Sequence, residues 1–353
     1  MSVKELFNWI ETFNVIVKRN DDETTKDYIS RLLNKYLQDL SDMPCPINSQ
    51  PDWDNLLNDI QKANSTIIEC LNLYSRAHIA ESIEQFHELL IQGKGFLTLE
   101  VKPEVKDDKN WYRMRKQDED ERVFPAKKMF HIPFNLRSKV SLARYSISGY
   151  PCLYISRSVW ATWEEMHEPK LSDFTVSRLE LQHSFNVLDL RMPVWRENID
   201  EQRLLCQLYT IPLVIACSIK VKYPKDDFKP EYIVPQLVML AIAYQDVDYM
   251  GCAYTSTMRN PIFKWSNINL LDNIALPVKL VDENLELCPK LCTYFKISDS
   301  TNYDFELFKE PFETEFWMNI DKNGIHDEAK EYQNSVFGQL ESRLKQMECL
   351  SLL

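Results

Sequence analysis

Apolar residues recur at helical spacing through the first 93 positions of the chain. Val3–Val17 forms one amphipathic stretch, and Asp22–Leu40 forms a second in which apolar side chains fall three or four residues apart. Asp21 or Asp22 is the expected N-cap of this second helix, since a short acidic side chain there accepts a backbone hydrogen bond. After a proline-rich break, Trp53–Gln92 has the pattern of two further helices.

The pattern changes after Gly93 and Gly95, which predict a helix C-cap and a domain boundary. Phe96–Val101 alternates between apolar and polar residues, as a half-buried strand does. Beyond it, short strands and helices are expected up to about residue 300. The strands are expected at Cys152–Ser156, Phe174–Leu181, Asn186–Arg191, Cys252–Thr257 and Ala275–Val281, and the helices at Val159–His167 and Glu201–Val214.

The final segment, about Asp327–Leu350, again has apolar residues at helical spacing. Two apolar stretches in the middle of the chain, Leu204–Ile219 and Tyr232–Tyr244, fall short of the roughly 20 apolar residues of a membrane span, so we expect them in a buried core. The whole pattern predicts an α+β protein. It has a helical N-terminal domain (residues 1–95), a mixed domain (96–300) and a helical C-terminal extension (301–353).

The chain of 353 residues is acidic, with a formal net charge of -12. Proteins that bind nucleic acid or anionic membranes need a basic surface, so we expect neither partner. Lys4, Glu5 and Glu11 interrupt any apolar segment of a signal peptide. We therefore expect a cytoplasmic protein.

The nine cysteines and six histidines form no metal-binding or disulfide pattern. Cys288 and Cys292 lack nearby partners that would complete a zinc site, and no CxxC pair occurs. We expect reduced cysteines, as in cytosolic proteins, and no structural metal. His131 is expected to be a structural histidine rather than a catalytic base.

A single turn carries most of the candidate chemistry. The chain has six glycines, so Gly149 marks a position where φ must be positive or another group must approach closely. It lies in the run Arg144–Tyr154, which supplies one cation and several hydroxyls, and Glu165 follows Tyr154 by eleven residues. These groups suit an anionic sugar nucleotide, whose pyrophosphate an arginine binds with charge-assisted hydrogen bonds.

The order and spacing of these residues resemble the RES family, which is named for its arginine, glutamate and serine residues. The matching positions are Tyr112 and Arg113, then Arg144, Tyr145, Ser146, Gly149 and Pro151, then Tyr154 and Glu165, and finally Gly251, Tyr254, Ser256 and the run Asn273–Leu276. The resemblance covers about residues 108–285, roughly half of the chain. This sequence departs from the family pattern at Leu142-Ala143, where many members of the family carry two glycines.

The resemblance implies a split β-sheet core like that of the ADP-ribosyltransferase toxins, and cleavage of the bond between nicotinamide and ribose in NAD. It implies a catalytic set of Glu165, Arg113 and Tyr154. The substrate-binding residues would be Arg144, Tyr112, Tyr145, Ser146 and Ser256. The residue types suit this chemistry, because a carboxylate stabilises an oxocarbenium-like ribose, arginines bind pyrophosphate and an aromatic ring stacks on nicotinamide.

Each candidate also has a purely structural interpretation. Arg144 could be a surface ion-pair partner, Glu165 an exposed helix carboxylate and Tyr154 a core residue of an apolar strand. Tyr254 is expected to serve packing rather than chemistry. These alternatives stay open at the level of the sequence.

The expected function is consumption of NAD by hydrolysis or phosphorolysis, as a toxin-like effector of a toxin–antitoxin or phage-defence system. NAD would be the substrate and inorganic phosphate a co-substrate, with no further cofactor, since the chain has no GxGxxG or P-loop motif. A freely active enzyme of this kind would poison its host, which implies an antitoxin or other regulatory partner. Two alternatives remain: ADP-ribosyl transfer to a macromolecule, and an inactive binding protein. The sequence allows a homo-oligomer without specifying one.

Overall fold

The computed structural model of the chain describes residues 1–106, 108–118, 120–243, 248–257, 268–279, 285–302, 332–333 and 335–353. The chain begins with four helices: α1 (Val3–Ile16), α2 (Thr25–Ser41), α3 (Gln50–Ser75) and α4 (Ile79–Gln92). All four follow the predicted amphipathic stretches. Their apolar faces share one core cluster with apolar residues from the middle of the chain.

The N-cap of α2 is Thr24, so the prediction of Asp21 or Asp22 is wrong. The hydroxyl of Thr24 accepts a hydrogen bond from the N–H of Asp27 at 3.1 Å. Asp21 and Asp22 lie in the preceding turn, too far from the first helical N–H groups to accept from them.

The segment after α4 differs from the predicted strand in its first half. Residues Lys94–Leu97 form a short helix, α5, and strand β1 covers Thr98–Val101. Gly93 is the C-cap of α4, as predicted. A Cβ atom at Gly93 would lie 2.7 Å from the side chain of Leu97 and 2.8 Å from that of Tyr209, so a larger residue would force these side chains to shift. The domain boundary at residue 95 stays a prediction.

The strands of the described residues form one mixed sheet. After β1 they are β2 (Asn110–Lys116), β3 (Cys152–Ser156), β4 (Phe174–Leu181), β5 (Phe185–Leu190), β6 (Gly251–Thr255), β7 (Asp272–Pro277), β8 (Phe295–Ile297) and β9 (Thr301–Asn302). Their spatial order is β1-β5-β6-β7-β3-β2-β4-β8, with β9 beside β4. Strands β5 and β6 are parallel, and the other pairs are antiparallel.

The helices of the middle and end of the chain complete the architecture. They are α6 (Val159–Glu165), α7 (Glu201–Cys217), α8 (Ile233–Ala243), α9 (Pro289–Tyr294) and α10 (Val336–Gln346). The fold is therefore α+β, as predicted. Strands β3 and β4 have the predicted bounds, whereas β7 begins three residues before the predicted Ala275. Parts of the predicted segments Ala275–Val281 and Asp327–Leu350 lie outside the described residues.

The sheet splits between β2 and β3. Strand β2 pairs with β4 at seven positions but is matched to β3 at one, where Tyr112 lies opposite Ser156. Beyond that pair the two strands diverge, and the backbone carbonyl of Tyr154 faces the gap. Arg113 on β2 donates a hydrogen bond to this carbonyl at 2.9 Å, so a side chain replaces the missing ladder bond.

The C-terminal helix α10 forms a hydrogen bond to α6, the helix that follows β3. The carboxylate of Glu341 accepts a hydrogen bond at 2.9 Å from the N–H of Val159, the first residue of α6. Arg178 on β4 donates to the carbonyls of Leu344 and Met347 at the end of α10. Helix α6, which ends at Glu165, is thus connected at its first residue to the C-terminal helix, and that helix is in turn connected to β4.

Candidate functional site

A cleft of about 670 Å³ opens where β2 and β3 diverge. Its volume falls in the range of small-molecule sites. The described residues that line it include four side chains that are cations at neutral pH: Arg113, Arg144, Lys220 and Lys229. Glu165 is the single carboxylate among these lining residues. Because the chain as a whole is acidic, this local excess of positive charge favours an anionic ligand.

Glu165 is the last residue of α6 and is partly buried at the cleft. Burial raises the pKa of its carboxyl group, while a hydrogen bond from Ser256 and the charges of Arg144 and His167 oppose that rise. The amide of Asn273 also donates to the Glu165 carboxylate, at 3.3 Å. Two neutral hydrogen-bond donors, Ser256 and Asn273, therefore orient the carboxylate.

Asn273 is a site residue that the predicted set omitted. It lies on β7 opposite Ser156 and Tyr254, and it is only 1% exposed. Its amide oxygen accepts a hydrogen bond from Ser156, and its amide nitrogen donates to Glu165 and to the carbonyl of Leu271. The sequence did contain a signal, because this asparagine is one of the positions on which the family resemblance rests.

Arg113 reaches into the gap from β2. Burial lowers the pKa of its guanidinium to about 10, which leaves it charged at neutral pH. One of its nitrogens is occupied by the Tyr154 carbonyl. A guanidinium has five N–H donors, so most of its hydrogen-bonding capacity is left for other partners.

Arg144 stands across the cleft on the segment that precedes β3. It donates to the carbonyls of Cys217 and Ile219 at 2.9 and 3.0 Å, at the end of α7, and its guanidinium lies 5.0 Å from the ring of Tyr232. In the described part of the chain no ion pair involving Arg144 is found. Its positive charge is therefore available to an anion in the cleft.

Tyr154 lines the cleft, and two of the predicted binding residues lie behind it. The hydroxyl of Tyr154 donates to that of Ser146 at 3.1 Å. Tyr145 is 1% exposed and packs against Tyr254, with 4.4 Å between the ring centroids. Gly149 has φ of +78°, which allows the turn that presents these residues. Tyr145 and Ser146 support the wall of the cleft and do not line it themselves.

The structure does not bring Tyr112 to the cleft. Successive residues of a strand point to opposite faces of the sheet, so Tyr112 and its neighbour Arg113 project in opposite directions. Tyr112 is 2% exposed and packs in an apolar cluster with Trp160 and Phe337. Tyr112 is therefore a residue of the buried core, whereas the prediction made it a substrate-binding residue. Ser256, also buried, follows β6 and interacts with Glu165 from behind.

Several lining residues were not predicted at all. Lys220, Lys229 and Tyr232 come from the segment between α7 and α8, and His167 follows α6. No spacing relates them to the Arg144 turn, because only the tertiary fold brings them together.

No group of three or more histidine, cysteine, aspartate or glutamate side chains suited to a metal ion occurs among the described residues. His131 is buried and accepts a hydrogen bond from the N–H of Cys288 at 2.9 Å, while its other ring nitrogen contacts the Ile132 carbonyl. Burial lowers its pKa to about 4. These contacts match the structural role expected for it. Within the described ranges, no helix combines the length and apolar character needed to span a bilayer.

Comparison with known proteins gives one distant relative. The chain is 26% identical over 370 aligned positions to "Putative toxin YopC" of Bacillus subtilis (strain 168), across 95% of this chain and 79% of that protein. No protein-family model and no solved structure matches the chain. The resemblance to the RES family, and to the ADP-ribosyltransferase core, stays a prediction.

Proposed function

We propose that the protein cleaves the bond between nicotinamide and ribose in NAD, at the cleft between β2 and β3. The observation that carries this proposal is the pairing of one partly buried carboxylate with four cationic side chains in a protein of net charge -12. NAD offers the complementary groups, a pyrophosphate dianion beside a ribose that becomes cationic as the bond breaks.

Glu165 would act on the reacting ribose. Loss of nicotinamide leaves an oxocarbenium-like sugar, and an ionised carboxylate near the anomeric carbon stabilises it, as in glycoside cleavage. The Glu165 carboxylate accepts from Asn273 and is hydrogen-bonded to Ser256, so its direction is set before substrate arrives. Nicotinamide leaves as a neutral molecule from a cationic pyridinium, so departure needs no acid.

Arg113 and Arg144 would bind the pyrophosphate. Both line the cleft, and both retain N–H groups beyond those that contact backbone carbonyls. Arginine binds phosphate oxygens through pairs of charge-assisted hydrogen bonds. Tyr154 also lines the cleft, and its ring would stack on the nicotinamide.

The relative's printed name supports a toxin-like role, and depletion of NAD is a chemistry that would give one. We propose a cytoplasmic effector in a toxin–antitoxin or phage-defence setting, restrained by an antitoxin or other regulatory protein. The acceptor of the ribosyl group would be water or inorganic phosphate.

The test is release of free nicotinamide by the purified protein, compared with the variants Glu165→Gln and Glu168→Gln. Glu168 is an exposed carboxylate three residues further on that does not line the cleft, which makes it a matched control. We expect loss of turnover only in Glu165→Gln, with NAD binding retained. Equal turnover in both variants would contradict the proposal, and label passing from NAD to protein or nucleic acid would indicate ADP-ribosyl transfer instead.

A further inference from the structure

Helix α6 ends in a Schellman motif that has side chains where glycine is usual. The N–H of His167 donates to the carbonyl of Glu164 at 2.9 Å, and the N–H of Glu168 donates to that of Trp163 at 3.0 Å. His167 has φ of +61° and Glu168 has φ of +53°. Glycine dominates the first of these positions because a Cβ atom is strained in the left-handed region.

The strain by itself does not indicate a function. Helix α3 ends in the same motif, with Ala77 at φ +64° donating to Tyr74 at 3.0 Å and His78 donating to Leu73 at 2.9 Å. Ala77 lies among the N-terminal helices and does not line the cleft. The left-handed position of this motif therefore carries a non-glycine residue even at a site where no catalysis is proposed.

The surroundings of His167 set it apart from Ala77 and Glu168. Its side chain lines the cleft and lies two residues beyond Glu165. When the imidazole is protonated, its charge lowers the pKa of the Glu165 carboxyl group. The imidazole is exposed, and within the described residues it takes part in no side-chain hydrogen bond or ion pair. The left-handed backbone at His167 thus places an exposed imidazole at the cleft that Glu165 also lines.

We propose that His167 is a catalytic residue that accepts the proton of the attacking group. The bond between the ribose anomeric carbon and the nicotinamide nitrogen breaks, and its electron pair leaves with neutral nicotinamide. An oxygen of water, or of another hydroxyl acceptor, forms the new bond to that carbon. The acceptor's proton passes to the neutral imidazole of His167 and then to solvent. Glu165 remains ionised to stabilise the sugar cation. This inference rests on the proposed function.

The experiment replaces each of the three strained residues with glycine: His167→Gly, Glu168→Gly and Ala77→Gly. Glycine suits a positive φ, so all three variants are expected to melt no lower than the wild type. The readouts are melting temperature, NAD binding and kcat for nicotinamide release. We expect kcat to fall about 100-fold in His167→Gly alone, the scale of a lost general base. Added imidazole should restore part of that loss, since the truncated side chain leaves room at an exposed position.

The outcomes separate this inference from the proposed function. Nicotinamide release by wild type, with full kcat in His167→Gly, would overturn the role of His167 and leave NAD cleavage standing. A loss of kcat that imidazole does not restore, together with lowered melting, would assign His167 to the helix cap only. No release by wild type would overturn both. His167→Asn, which also accepts a positive φ, provides a second variant with the same expected loss.

Discussion

Replacing Asn273 with alanine should move the pH dependence of the reaction. The Asn273 amide donates to the Glu165 carboxylate at 3.3 Å and so favours its ionised form. A hydrogen bond to a charged group contributes about 1.5–3 kcal/mol, and this long contact belongs at the low end. A loss of about 1.4 kcal/mol corresponds to a factor of about ten in an ionisation constant.

The direction follows from the charge state that the reaction needs. Burial already raises the pKa of the Glu165 carboxyl group. Loss of the Asn273 hydrogen bond, which favours the ionised form, should raise this pKa further. Turnover needs the ionised Glu165 carboxylate and, by the inference above, the neutral His167 imidazole, so two ionisations shape the acid limb of kcat/KM. The component of that limb that belongs to Glu165 should shift to higher pH in Asn273→Ala. At pH values below the acid limbs of both proteins, the variant should keep about a tenth of wild-type kcat/KM. Well above those pH values, the two proteins should have equal kcat/KM.

The assay is the initial rate of nicotinamide release across the acid range, beside Asn64→Ala as a control. Asn64 is also a buried asparagine, but it donates to the Leu33 carbonyl within the N-terminal helices, away from the cleft. Both variants should lose stability, and only Asn273→Ala should move the acid limb. An unmoved limb, or an equal loss of rate at every pH, would refute the role assigned to this amide.

Four further predictions concern stability and binding. Glu165 binds its proton more tightly in the folded state, so it stabilises the fold at low pH, and this contribution is lost as pH rises through its raised pKa. In chemical denaturation, the free energy of unfolding of Glu165→Gln relative to wild type should therefore increase with pH. Arg144→Met should raise KM for NAD about 10- to 100-fold in steady-state kinetics, from loss of a charge-assisted contact. Tyr112→Phe should leave KM unchanged in the same assay, because Tyr112 lies in the core. Glu341→Ala leaves the buried N–H of Val159 without its acceptor, so denaturation should show about 1–3 kcal/mol lost, with a lower kcat as α6 loosens.

The elements that the sequence predicted best have strong periodicity and clear boundaries. Strands β3 and β4 and helices α1 to α4 carry apolar residues at regular spacing, which burial of one face requires. Strand β2 was missed because its arginines and lysine make a charged segment. Arg113 and Arg115 alternate with buried residues there, and this alternation is visible only once the strand is recognised.

The same omission explains the error at Tyr112. Adjacent matches to a motif suggested that Tyr112 and Arg113 act together, but a strand points neighbouring side chains to opposite faces. Lys220 and Lys229 could not be predicted, because they enter the cleft from a segment that no local pattern relates to the Arg144 turn. Their contribution depends on how α7 and α8 pack against the sheet.

The most direct test of the central claim is to incubate NAD with the purified protein and to quantify free nicotinamide and the ribosyl product, with and without inorganic phosphate. The account predicts one nicotinamide released for each NAD lost, in a reaction that Glu165→Gln abolishes. Free ADP-ribose would indicate water as the acceptor, and a phosphorylated ADP-ribose that forms only with phosphate present would indicate phosphorolysis. NAD left intact under both conditions, or cleaved equally well by Glu165→Gln, would contradict the account.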